Sequence, residues 1–230
     1  MADVSEIIRL YETTIKSIND KADAQTDRAY GGVIRAEKGR LQETITEGII
    51  KLAWDNLKGK KERLKINSNK IRIPIQTSYV NNMENEKIKN CIKSSIENYN
   101  YKLSVDKHIF IDDKFVIGIE CKAYTENAML KRILVDFHLL KTLYPNISCY
   151  LFQLESQLGG DYSQLTRTIY GAYSTHSIMS YFPDVHLHIF TFLKGERNIN
   201  LPIHKYFKPL EKRTVENAVS LVENELKKYL

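Results

Sequence analysis

The stretch Phe115-Val116-Ile117-Gly118-Ile119-Glu120-Cys121-Lys122 decides how the rest of the chain is read. An apolar run ends in a glutamate and a lysine two residues apart. Strand side chains alternate with a period of two, so Glu120 and Lys122 project from one face and Cys121 from the other. A buried strand that ends in two charges holds them paired or puts them to use.

The residues on either side supply the frame. Lys107-His108-Ile109-Phe110-Ile111 precedes the turn-prone Asp112-Asp113-Lys114, so the spacing predicts a hairpin of residues 107–111 with residues 115–122. A turn centred on Asp112 and Asp113 sets Asp106 opposite Ile119, beside Glu120. Thr125 caps an expected helix over 126–143, whose apolar face is Met129, Leu130, Ile133, Leu134, Phe137, Leu140 and Tyr144. Pro145 stops it. Ile147 to Leu154 is an apolar strand, expected parallel to 115–122 because a helical crossover joins them.

Outside this segment the periodicity predicts helices over 4–18, 33–57, 84–99, 161–180 and 209–229, a loop over 19–32, a β-prone stretch over 71–80 interrupted by Pro74, and a strand over 185–193. No internal repeat and no clean break divides the chain, so a single domain over 1–230 is expected.

Composition narrows the class. The chain has 230 residues, 43% hydrophobic and 27% charged, enough for a substantial core. A net charge of +6 points toward a polyanionic partner. The three cysteines, Cys91, Cys121 and Cys149, fit neither a disulfide framework nor a zinc site. The N-terminus has no signal-peptide character and no apolar run has the length of a membrane span, so a cytoplasmic protein without a membrane partner is expected. His186 and His188 alternate with apolar residues in a strand and show no metal spacing.

Asp106 and Glu120 together are suited to share one divalent cation, with Lys122 alongside. Oxygen ligands of this kind suit Mg²⁺, and the matching chemistry is phosphodiester hydrolysis. Lys122 would orient or activate the attacking water and stabilise developing negative charge.

Val105-Asp106, thirteen further residues, then Glu120-Cys121-Lys122 resembles the PD-(D/E)xK nuclease signature, with Val105 in place of the proline. The order of helix, hairpin, helix and parallel strand is similar to that superfamily's αβββαβ core, over residues about 36–155. The resemblance implies an α/β fold with a mixed central sheet flanked by helices, and a metal site of Asp106, Glu120 and Cys121. It implies a further acid from the preceding helix, where Gly39 and Glu43 match a G-x-x-x-E pattern and Glu47 is the alternative one turn later. Size and basicity are similar to type II restriction endonucleases, which implies a Mg²⁺-dependent homodimer acting on double-stranded DNA. Residues 156–230 would then carry recognition and C-terminal elements.

Two segments are expected to meet DNA. Residues 58–72 hold Lys58, Lys60, Lys61, Arg63, Lys65, Lys70 and Arg72 against the single acid Glu62, a composition suited to phosphate contacts. Gln157, Tyr162, Gln164, Arg167 and Thr168 flank or follow Gly159-Gly160, and glutamine and arginine pair bidentately with adenine and guanine edges. Two other functions stay open on sequence alone. One is a nuclease of the same fold in repair or recombination, such as a junction resolvase or a nicking enzyme. The other is a DNA-binding protein without catalysis.

Overall fold

The computed structural model describes residues 3–24, 30–163 and 170–230. In chain order the elements are α1 (Val4–Ala24), α2 (Tyr30–Asn56), β1 (Leu64–Asn67), β2 (Ile71–Pro74), α3 (Thr77–Asn81), α4 (Glu86–Lys93), β3 (Asn100–Leu103), β4 (Lys107–Ile111), β5 (Lys114–Thr125), α5 (Asn127–Leu143), β6 (Ser148–Ser156), α6 (Tyr173–Ser180), β7 (His188–Thr191) and α7 (Lys212–Leu226).

A five-stranded sheet runs in the order β1-β4-β5-β6-β7. β1, β4 and β5 are antiparallel neighbours, whereas β5, β6 and β7 are parallel. Thus α2, three antiparallel strands, α5 and the parallel strand β6 reproduce the expected αβββαβ order. β2 and β3 form a separate two-stranded ribbon. One face of the sheet packs against α1, α2 and α7 through Tyr11, Ile45, Ile49, Trp54, Phe152 and Val219. The other packs against α5 through Leu130, Ile133, Leu134, Phe137 and Leu140. Among the described residues no helix is long and apolar enough to cross a membrane.

Several boundaries move from where periodicity put them. Helix α1 runs on to Ala24 instead of ending at residue 18, because Ile7, Tyr11, Ile15 and Ile18 anchor it and Lys21 pairs with Glu37 of α2 at 2.6 Å. Of the loop expected over 19–32, residues 19–24 and 30–32 are helical, and residues 25–29 lie outside the described residues. The helix expected over 84–99 stops at Lys93, where Ser94 and Ser95 turn their hydroxyls back onto the Cys91 carbonyl. Of the helix expected over 161–180, Tyr173–Ser180 is helical, preceded by Gly171 at a φ of 66°, and residues 164–169 lie outside the described residues. Of the β-prone residues 71–80, the first four are β2 and Thr77–Asn81 is helical.

The β4–β5 hairpin turns through Asp112 and Asp113, at φ of 49° and 64°. A two-residue turn with both centres left-handed matches the twist of its strands. Phe110 faces Phe115 but Ile109 faces Ile117, so Val116 is an extra residue on β5. Past this bulge the pairing moves by one. Lys107 faces Ile119, and Asp106 aligns with Glu120 rather than with Ile119.

Gly118 sits where β5 crosses α5. A Cβ there would lie 2.9 Å from the Phe137 ring and 3.4 Å from Val105. Gly118→Ala is therefore expected to cost about 1–3 kcal/mol of stability by overpacking. Urea denaturation measures it, and an unchanged midpoint would mean that the α5 face yields more readily than its packing implies.

Candidate active site

At the carboxyl end of β5 the main chain leaves the core and the side chains become charged. Glu120 and Lys122 fall on the α5 side of the sheet. Cys121 is turned to the α2 side, where its thiol donates to Thr46 Oγ1 at 3.3 Å and is buried. Asp106 precedes β4. Its Oδ2 accepts the Cys121 backbone N–H at 2.7 Å, which locks the carboxylate across the end of the neighbouring strand.

Three oxygens converge on one point. Lys122 Nζ lies 2.5 Å from Glu120 Oε1, 3.3 Å from Asp106 Oδ2 and 3.1 Å from the Cys121 carbonyl oxygen. The Glu120 side chain is only 13% exposed. Burial pushes its carboxyl above the ordinary range; Lys122 opposes this and Asp106 adds to it. Burial disfavours the Lys122 ammonium, but Glu120 and Asp106 outweigh it and hold the pKa above that of a free lysine. Two carboxylates facing one ammonium leave the site short of positive charge. The donor set of two carboxylates and a carbonyl is hard oxygen, suited to a divalent cation that keeps part of its water. Among the described residues no three acidic, histidine or cysteine side chains cluster as a metal cage. The third oxygen here comes from the backbone.

Glu43 of α2 lines the same cleft of about 300 Å³ as Asp106, Cys121 and Lys122. It also lies 3.7 Å from Lys107, which contacts Glu47 at 3.3 Å. Glu47 is further engaged by Lys51 at 2.7 Å, so of the two helix acids Glu43 is the one on the cleft. Gly39, one turn before it, lies on the cleft wall, and a Cβ there would meet nothing within 4 Å.

The basic run is not brought to this cleft. Arg63 forks onto Asp112 with contacts of 2.7 and 3.0 Å and also donates to the Tyr229 carbonyl. Lys65 pairs with Asp113 at 2.5 Å. Both are held at the hairpin tip, six residues of strand or about 20 Å from Glu120. Lys60 and Lys61 are exposed beside them. Gln157 accepts a hydrogen bond from Arg197 Nη1 at 2.9 Å. Tyr162 packs against the α5-side core. Gln164, Arg167 and Thr168 lie outside the described residues. Residues that sequence reasoning passed over are Arg35 and Arg40, which line the cleft, and Asp136 of α5, whose charge acts on Glu120. The cluster Arg35, Lys38 and Arg40 at the start of the Glu43 helix was the available signal.

The chain is 53% identical, over 97% of its length and 96% of the relative's, to the type II restriction enzyme DdeI of Desulfomicrobium norvegicum. No family model matches the chain. No solved structure matches it either.

Only an ionised Glu120 can hold a cation. Its raised pKa means that affinity for a divalent ion falls as pH drops, and that the fall begins above the 4.5 of an ordinary glutamate. Calorimetric titration with Mn²⁺ at a series of pH values reads this. Affinity that stays level down to that value would contradict the effect of burial.

Proposed function

The chain belongs to the type II restriction enzymes, and on that premise we propose that it hydrolyses double-stranded DNA at a defined sequence, using Mg²⁺ held by Asp106, Glu120 and the Cys121 carbonyl. The observation that carries this reading is the convergence of those three oxygens on Lys122 Nζ. A cation point so lined suits a hard divalent ion, and at such a point the ion would act as a Lewis acid and lower the pKa of a bound water.

The protein's own groups do the rest. The Asp106 carboxylate is fixed by the Cys121 N–H, so its orientation does not depend on the ion. Lys122, protonated at neutral pH, donates to the attacking water and to the phosphate oxygens as negative charge grows on them. Glu43, on the opposite wall of the cleft, supports the metal site through Lys107 and by its own charge. Gly39 leaves the α2 wall without a side chain, which gives a DNA backbone room to approach. The enzyme works as a homodimer, one protomer per strand, because one cleft cuts one strand of a duplex.

Digestion of a phage genome in Mg²⁺ and, in parallel, in EDTA tests the reading. Discrete bands in Mg²⁺ alone are expected. A smear would point to a structure-directed or non-specific nuclease, and intact DNA across several genomes would overturn the proposal.

Lys122→Ala is expected to lower the cleavage rate by at least about 100-fold while duplex binding persists. A variant that cuts at the normal rate removes Lys122 from the chemistry. Gly39→Leu should fold at least as stably as the parent, since glycine costs about 1 kcal/mol in a helix interior, yet lose cleavage by filling the cleft. Full activity in that variant would show that DNA does not approach α2 there.

A further inference from the structure

A second cleft, of about 200 Å³, continues from the first past the carboxyl ends of β5 and β6. Arg35, Ala123 and Tyr124 form a wall common to both. Along β5, Tyr124 follows Lys122 by two residues, or about 7 Å. The inner side of this cleft is cationic. Lys38 Nζ contacts His204 Nδ1 at 3.1 Å, and Arg197 spreads over the Tyr124 ring with Cζ 3.6 Å from its centroid.

Arg197 is held at three places. Its ring contact is the first. Its Nη1 donates to Gln157, and its backbone N–H donates to the Ser156 carbonyl at 2.8 Å. Its Nε and Nη2 have no partner among the described residues, and no carboxylate there pairs with it or with Lys38. The one acid in the cleft, Glu155, is already paired with Lys208 at 2.8 Å. Burial, only partly offset by Glu155, brings the Lys38 ammonium down to about 8, as expected for positive charge that the protein leaves uncompensated.

Resting on the nuclease reading above, we propose that this cleft is a phosphate subsite for the cut strand. Arg197 is its fixed fork and Lys38 its second cation, and together they grip a backbone phosphate beside the reacting one. A guanidinium held by its ring and Gln157 contacts, with Nε and Nη2 left unused along one edge, matches phosphate better than a mobile lysine does. Gln157, expected from sequence to read a base, is then a positioning residue for Arg197.

Each phosphate contact releases counterion, so the test is the salt dependence of binding. A fluorescein-labelled duplex of mixed sequence is titrated in EDTA, without cleavage, over a series of KCl concentrations. The wild type is compared with Arg197→Gln, which removes the charge and keeps an amide for Gln157. The slope of log affinity against log salt should become shallower by about 0.9 for each protomer engaged. Lys38→Met is the second variant, with the same expectation, and circular dichroism checks that both fold. Unchanged slopes in both variants, with the wild type still cutting DNA, overturn the subsite and leave the nuclease reading intact. Shallower slopes in a protein that cuts no DNA overturn the nuclease reading, and the cleft stands as a duplex-backbone contact.

Discussion

A strand that is apolar on both faces can be buried only at the centre of a sheet, and β5 imposes that constraint on everything around it. β4 pairs with its first half and β6 with its second. Helices cover both faces because both carry apolar side chains: Ile117 and Ile119 turn to the α2 side, while Phe115 and the bare surface of Gly118 meet the α5 side. Only past Ile119 does the strand reach a region where water and charge are tolerated. Glu120 and Lys122 stand there, at the one end of β5 from which the core no longer excludes them.

The electrostatics follow from this placement. Glu120 is too buried for a carboxylate to be comfortable, and Lys122 too buried for an ammonium, yet each makes the other tolerable. Asp106 then tips the balance toward negative charge. Basic residues cross the cleft from another direction: Arg35, Lys38 and Arg40 on α2 and Arg197 beyond β7. The cleft thus has an acidic floor and a basic rim. That arrangement suits a substrate that is itself an anion and reacts only beside a cation.

Much of this was legible in the sequence where local pattern and fold agree. The same-face pair Glu120 and Lys122, the turn at Asp112 and Asp113, the helix after Thr125 and the parallel strand from Ile147 all rest on short-range periodicity, and all appear. The bulge was not legible, because Phe115-Val116-Ile117 reads as strand with or without an extra residue. Strand β1 was hidden inside the basic run, where Leu64 and Ile66 alternate with lysine and asparagine and the charges dominate the reading. Within that run Arg63 and Lys65 pair with the two aspartates of the hairpin tip, a long-range pairing that no window of sequence reveals. Arg197 stands beside Tyr124 for the same kind of reason: only the parallel packing of β5, β6 and β7 brings its segment back to the end of β5.

The extra residue at Val116 makes β5 a device that counts. Before the bulge Phe115 faces the α5 side; after it, Gly118, Glu120 and Lys122 do. Loss of the extra residue would leave a regular strand with Phe115, Gly118, Glu120 and Lys122 still on one face, whereas a residue gained or lost between Gly118 and Glu120 would exchange the faces beyond it, sending both charges into the α2 core and the Cys121 thiol out to the cleft. The tip at Asp112 and Asp113 carries no such burden, since its residues bear only on exposed ion pairs. Over evolutionary time the hairpin is therefore free to drift in length at its tip, whereas from Gly118 to Lys122 the strand is open to neither insertion nor deletion.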